Sequence, residues 1–150
     1  METAAWSPLA KGLLAFWNEK RGIRPMPARH DIDPLEMKPW LSRLMLIEVI
    51  DAGRDFRYRL VGTDVVTRIG RDMTGKLISQ LPALPEIVGR FLEEYRQVVR
   101  SGRPGYAVHD YFSPTIKRTI KFERLLLPLG EADGPVGMLL GLRNDLMERS

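Results

Sequence analysis

Few side chains in this sequence could do chemistry, and their spacing decides what they can do. Cysteine is absent, which excludes disulfides, thiolate-bound metals and cysteine nucleophiles. Of the two histidines, His30 lies in a proline-flanked stretch and His109 in a strand-like run. Neither has the i, i+4 partner of a helical metal site. His109 keeps two readings, a contact to a bound ligand or a hydrogen-bonded histidine at a sheet edge. Asp31 and Asp33 offer a carboxylate pair for acid–base or metal chemistry, but no third polar group converges on them in sequence. Asp33-Pro34-Leu35-Glu36 has instead the spacing of a helix-capping box. The glycines of Gly70-Arg71-Asp72-Met73-Thr74-Gly75 match neither a P-loop nor a dinucleotide fingerprint, and no Gly-x-Ser-x-Gly elbow is present. No catalytic residue and no metal ligand set is assigned, so the expectation is a protein that is not an enzyme.

The elements that must position these residues follow from periodicity. The run 44–51 is nearly continuous in apolar and β-branched residues, as in a strand covered on both faces. The run 55–62 alternates, with Phe56, Tyr58 and Leu60 expected on one face and Arg57 and Arg59 on the other. Asp51-Ala52-Gly53-Arg54 joins the two as a hairpin turn. Thr63 and Asp64 can cap a short helix over 65–69 that Gly70 ends. The longest helix is expected over 85–100, with Ile87, Phe91, Tyr95 and Val98 on one stripe and Gly102 beyond its end. Strands are expected over 105–112, 118–127 and 136–143, the last two joined by the turn 128–135. The tail 144–150 reads as a frayed helical turn. At the other end, Ser7 as N-cap, Pro8 at the first position and Gly22 as stop define a helix over 8–21. Its apolar stripe of Leu9, Leu13, Phe16 and Trp17, widened by Trp6, Ala10 and Leu14, exceeds what a helix packed on one side needs. Two uses suit it: covering the open face of a sheet, or meeting a second copy.

This order of elements, with Arg59-Leu60-Val61-Gly62-Thr63 and Gly70-Arg71-Asp72-Met73-Thr74-Gly75, resembles the PAS superfamily and in particular its bacterial branch of short single-domain proteins. The resemblance takes in Pro27-Ala28-Arg29-His30-Asp31-Ile32-Asp33-Pro34 and Glu123-Arg124-Leu125-Leu126-Leu127-Pro128-Leu129, and spans about 24–142. It implies an α+β fold, a five-stranded antiparallel sheet with helices on one face and an extra N-terminal helix. Residues 1–23 would be an amphipathic helix for dimerisation or capping, and 24–150 the PAS-like domain. The implied role is that of a bacterial sensor or interaction module in signal transduction. It would act through protein–protein contact, with a second copy in a homodimer or with a signalling protein such as a histidine kinase. A ligand does not follow from the fold, because cofactors are read from site residues. Haem-binding relatives supply an axial histidine from the helical region after the second strand, and 63–100 holds none; photoreactive flavin relatives need a cysteine. No haem, covalent flavin or other cofactor is therefore expected.

Two sets of residues carry the functional expectations. Leu9, Leu13, Phe16 and Trp17, with the like-charged strand neighbours Arg57 and Arg59, are the candidate interface. Alternatively, Phe56, Tyr58, Phe91, Tyr95, His109, Phe122 and Met138 line a small-molecule pocket between sheet and helices. Apolar residues at 44% and charged residues at 28% describe an ordinary globular domain. The net charge of +4 is scattered among acids and forms no stripe, which argues against nucleic acid. No run approaches the roughly 20 apolar residues of a membrane span, and no basic n-region precedes an apolar run. The expected location is the cytoplasm, without membrane insertion.

Overall fold

The computed structural model describes residues 2–113 and 116–146 of the chain. Helix α1 spans Pro8–Arg21 and has the expected caps. The Ser7 hydroxyl accepts from the Ala10 amide at 3.1 Å, and Gly22 ends the helix at φ 59°. The Asp33 carboxylate accepts from the Leu35 amide and opens a 3-10 turn over Pro34–Met37. Glu36 does not close the box; it turns outward to pair with Lys20 at 3.0 Å.

Strands β1 (Leu44–Ile50) and β2 (Asp55–Val61) form the first hairpin. Its turn holds Asp51, Ala52 and Gly53 at positive φ. After α2 (Thr63–Ile69) and the long α3 (Pro85–Ser101) come β3 (Gly105–Ser113), β4 (Arg118–Leu129) and β5 (Met138–Asp145). The sheet is antiparallel throughout, in the order β2-β1-β5-β4-β3. Edge strand β2 is engaged on its outer side by the segment after α2, where Tyr58 N–H donates to Lys76 O at 3.1 Å and Gly75 N–H donates to Tyr58 O at 2.7 Å. Asn144 and Asp145 continue β5 opposite Glu123 and Phe122, so the expected helical turn does not begin there; 147–150 lies outside the described residues.

Successive residues of a strand face opposite layers, and this parity divides the core. On one side α1 lies against β3 and β4. The Trp17 indole donates to the Pro128 carbonyl at 2.9 Å, and the Trp6 ring stacks on Tyr106 with centroids 4.2 Å apart. Ala10, Leu13 and Trp17 are buried with Leu125, Leu127, Leu140 and Leu142 of that face. Leu9 and Phe16 are half-buried on the other flank of α1. There the Trp40 indole donates to Leu9 O at 3.0 Å, and its ring lies 5.6 Å from that of Phe16. Leu13 and Trp17 therefore belong to the chain's own core and present no surface to a second copy, which corrects the interface reading for these two. The excess of apolar surface on α1 is explained by its place between the sheet and Trp40.

A second correction concerns β2. The register shifts between Leu46 and Ile47, so that Leu60 pairs with Leu46 while Tyr58 pairs with Ile47. Arg59 is the extra residue of this bulge, and the changed parity moves Leu60 to the face opposite Phe56 and Tyr58. Leu60 is accordingly 46% exposed, whereas Phe56 and Tyr58 are buried.

Candidate functional site: a charged layer under helix α3

On the α3 side the sheet carries charged groups where an apolar core would be simpler. Arg124 of β4 and Arg143 of β5 are cross-strand partners, and both are buried. Arg124 lies over the rings of Phe91 and Tyr95, with 4.2 and 5.1 Å to the centroids. Arg143 lies over Phe122 and Tyr111 at 4.2 and 4.5 Å. Cation–π contact with four rings gives the two guanidiniums an apolar seat without neutralising them.

Their carboxylate partners differ. Glu94, on the sheet-facing side of α3, pairs with Arg124 and meets His109 of β3, whose Nε2 is 2.8 Å from Oε1 and 3.1 Å from Oε2. With its proton on Nε2, His109 donates to that carboxylate. Burial, then the charges of Arg124 and Arg90, hold the His109 pKa below its ordinary 6.5 against the opposing pull of Glu94, which favours the neutral ring. Asp145 of β5 accepts from Arg68 of α2 at 2.7 Å and from the Tyr111 hydroxyl at 2.7 Å. Its other oxygen is 3.7 Å from Arg143, too long for a hydrogen bond.

Arg143 consequently makes no hydrogen bond among the described residues, and its Nη1, Arg124 Nε and Asp145 Oδ1 are buried polar atoms without partners. A buried charge in this state carries a desolvation cost that ring contacts offset only in part. Burial also lowers the Arg143 pKa from its ordinary arginine value. Beneath the arginines, Tyr58 is buried and its phenol is pushed well above the ordinary value by burial, with Tyr95 beside it.

Six of the residues expected to line a pocket, Phe56, Tyr58, Phe91, Tyr95, His109 and Phe122, gather in this layer. Met138 does not; it pairs with Glu48 and Leu129 on the α1 side. The layer is tightly filled. Its hollow next to Arg124, between Glu94 and the small residues Gly105 and Ala107, has a volume of about 40 Å³. A larger open groove, about 910 Å³, lies elsewhere, between the C-terminal ends of α1 and α3. Of the candidate arginines on β2, Arg59 pairs with Glu48 of β1 and Arg57 donates to the Gly75 carbonyl at 3.0 Å, so both have partners within the chain.

A buried carboxylate serves the opposite layer. Glu123, fully buried, accepts from the Ser7 amide at 3.2 Å, the Ser7 hydroxyl, the Tyr106 hydroxyl at 2.8 Å and the Asn144 amide at 2.7 Å. It ties the N-cap of α1 to β3, β4 and β5. Residue-type reasoning passed over Glu94, Glu123, Arg124, Arg143 and Asp145. The available signal was Glu123-Arg124 at the head of the apolar run 125–129: a strand covered on both faces can keep adjacent opposite charges only if each is paired in its own layer.

The arrangement can bind, exchange ion-pair partners and take up protons. Among the described residues no group of three metal-ligating side chains converges, and no helix is long and apolar enough to cross a membrane. The chain belongs to the PAS domain family, whose profile matches residues 6–143. Known structures repeat the fold at low identity. The PAS domain of Bordetella pertussis BvgS matches at 20% identity with a TM-score of 0.57, over 79% of this chain and 90% of that one. The Vibrio cholerae VqmA dimer, from a study of LuxR-type receptors, matches at 12% and 0.57, over 77% of this chain and 52% of that one. A LOV protein of Rhodobacter sphaeroides matches at 15% and 0.53, over 77% and 69%. Sequence comparison with curated proteins finds no match. The family and the five-stranded sheet define a sensory or signalling type of module.

Proposed function

We propose that the protein is a non-catalytic signal-transduction module of the bacterial cytoplasm, acting through contact with a partner protein or a second copy, and that the docking of α3 on the sheet is its variable element. The observation that carries this reading is the Glu94 joint. Besides the apolar packing of Tyr95 and Val98 and the Arg96 bonds to the Gly53 and Arg54 carbonyls, the longest helix has a polar tie to β3 and β4 through one carboxylate that meets Arg124 and His109, and Glu94 is 27% exposed by side chain while Arg124 is 3% exposed. A polar joint reachable from solvent can exchange partners at a cost an apolar seam would not allow, so a modest differential interaction shifts the population of helix positions. Half-buried Leu9 and Phe16, and exposed Val108 and Phe112 on edge strand β3, supply apolar surface for a partner. Native mass spectrometry of the purified protein, with capture of partners from its own cell extract, tests the proposal. A homodimer or a stoichiometric signalling partner is expected. A bare monomer that captures nothing would overturn it.

A second reading, a small-molecule sensor, is favoured by a feature that protein contact leaves unexplained: the buried Nη1 of Arg143 and Nε of Arg124 have no hydrogen-bond partner among the described residues.

A further inference from the structure

We propose that the charged layer under α3 is a binding site for a small carboxylate, with Glu94 as its built-in competitor. The inference rests on the sensor reading above and gives it a ligand class. Three observations point the same way. Arg124 Nε and Arg143 Nη1 are buried donors without acceptors, on cross-strand partners. Arg143 is 7% exposed, lies over two rings, and has its Nη1 3.7 Å from a carboxylate oxygen and without a hydrogen-bond partner among the described residues, which leaves that donor available to an oxyanion. The space beside Arg124 is the 40 Å³ hollow lined by Glu94, Gly105, Tyr106, Ala107 and Leu126 but not by Arg143, enough for one carboxylate group and too small for an extended aromatic ligand.

Glu94 explains why the site is closed when empty. Its carboxylate is already seated on Arg124 and His109, as the carboxylate of a ligand would be. It is also more exposed than His109, Arg124 or Arg143, so exchange begins there. An entering carboxylate takes the guanidinium donors, Glu94 swings to solvent, and α3 loses its polar tie to β3 and β4 while Tyr95 and Val98 keep their apolar packing. Ligand binding and helix docking are then linked through one set of donors, and each weakens the other.

The two histidines make the test direct. In proton NMR of the full chain, acetate and then malonate are titrated to about 10 mM, a range that detects millimolar affinity. The His109 ring resonances should move saturably, while those of His30, 76% exposed by side chain, stay in place. Glu94→Gln should tighten binding about tenfold by removing the competitor, and adding Arg143→Met should abolish it. If Glu94→Gln does not fold, the wild-type titration alone decides: saturable movement of His109 alone supports the site, and none with either acid overturns it. Equal binding by the Arg143→Met protein, or no gain with a folded Glu94→Gln, also overturns it. The failure of this inference would leave the oligomer and partner results above untouched, so the two readings fall separately.

Discussion

Replacing Leu13 by alanine separates a helix that covers its own sheet from one that seals a dimer. Leu13 is fully buried, beside Ala10 and Trp17, against a sheet face built from Leu125, Leu127, Leu140 and Leu142. Trp40 holds the far side of α1 by its hydrogen bond to Leu9 O, so the helix is restrained from settling inward to fill the cavity. A leucine-to-alanine change in such a site costs about 3 kcal/mol. For a chain of this size that lowers Tm by roughly 6–12 °C, out of a total stability of about 5–15 kcal/mol. Urea and thermal unfolding followed by tryptophan fluorescence measure it, because Trp6 and Trp17 lie in the same layer. The oligomer mass should not change. By the same argument, removing residues 1–22 uncovers the leucine face of the sheet and should yield an aggregating or unfolded chain. A Leu13→Ala protein that loses less than about 1 kcal/mol while its oligomer mass falls would refute the placement of α1.

Three further outcomes follow from single groups. Glu123→Gln leaves hydrogen-bond donors from Ser7, Tyr106 and Asn144 facing an amide, and should cost about 1–3 kcal/mol in urea unfolding; an unchanged midpoint would contradict the clasp. Because the folded pKa of His109 is held below 6.5, the unfolded state binds more protons between the two values, so stability should fall as pH drops through that window; His109→Gln should flatten the profile, which denaturation at a series of pH values reads. Gly62 has ordinary φ, but a Cβ there would lie 2.3 Å from the Ser42 carbonyl oxygen, so Gly62→Ala should cost about 1–3 kcal/mol or more in thermal unfolding, and a neutral result would contradict that close approach.

The elements were legible because their signals are local. Ser7, Pro8 and Gly22 bracket α1 at the expected ends, and Gly102 at φ 66° closes α3. Alternation located all five strands within two residues at each end. The bulge at Arg59 was not legible, since a one-residue register shift depends on the partner strand and leaves no mark in the run itself. Nor could periodicity choose between the two uses of the α1 stripe, because burying Leu13 against a sheet and burying it against a second copy demand the same residues. Of the aromatic residues expected to line a pocket, Phe91, Tyr95 and Phe122 share one layer and seat the arginines. The charges themselves carry no such signal. Arg124 and Arg143 become a pair only when β4 and β5 adopt their register, a long-range fact absent from either strand alone.

Hydrogen exchange at the α3 amides of the Glu94→Gln protein tests the central claim most directly, that the Glu94 joint holds this helix and sets its position. The account predicts faster exchange over 91–98, with α1 and β1 protected as in wild type. Unchanged protection of α3, or a uniform loss across the chain, would contradict it.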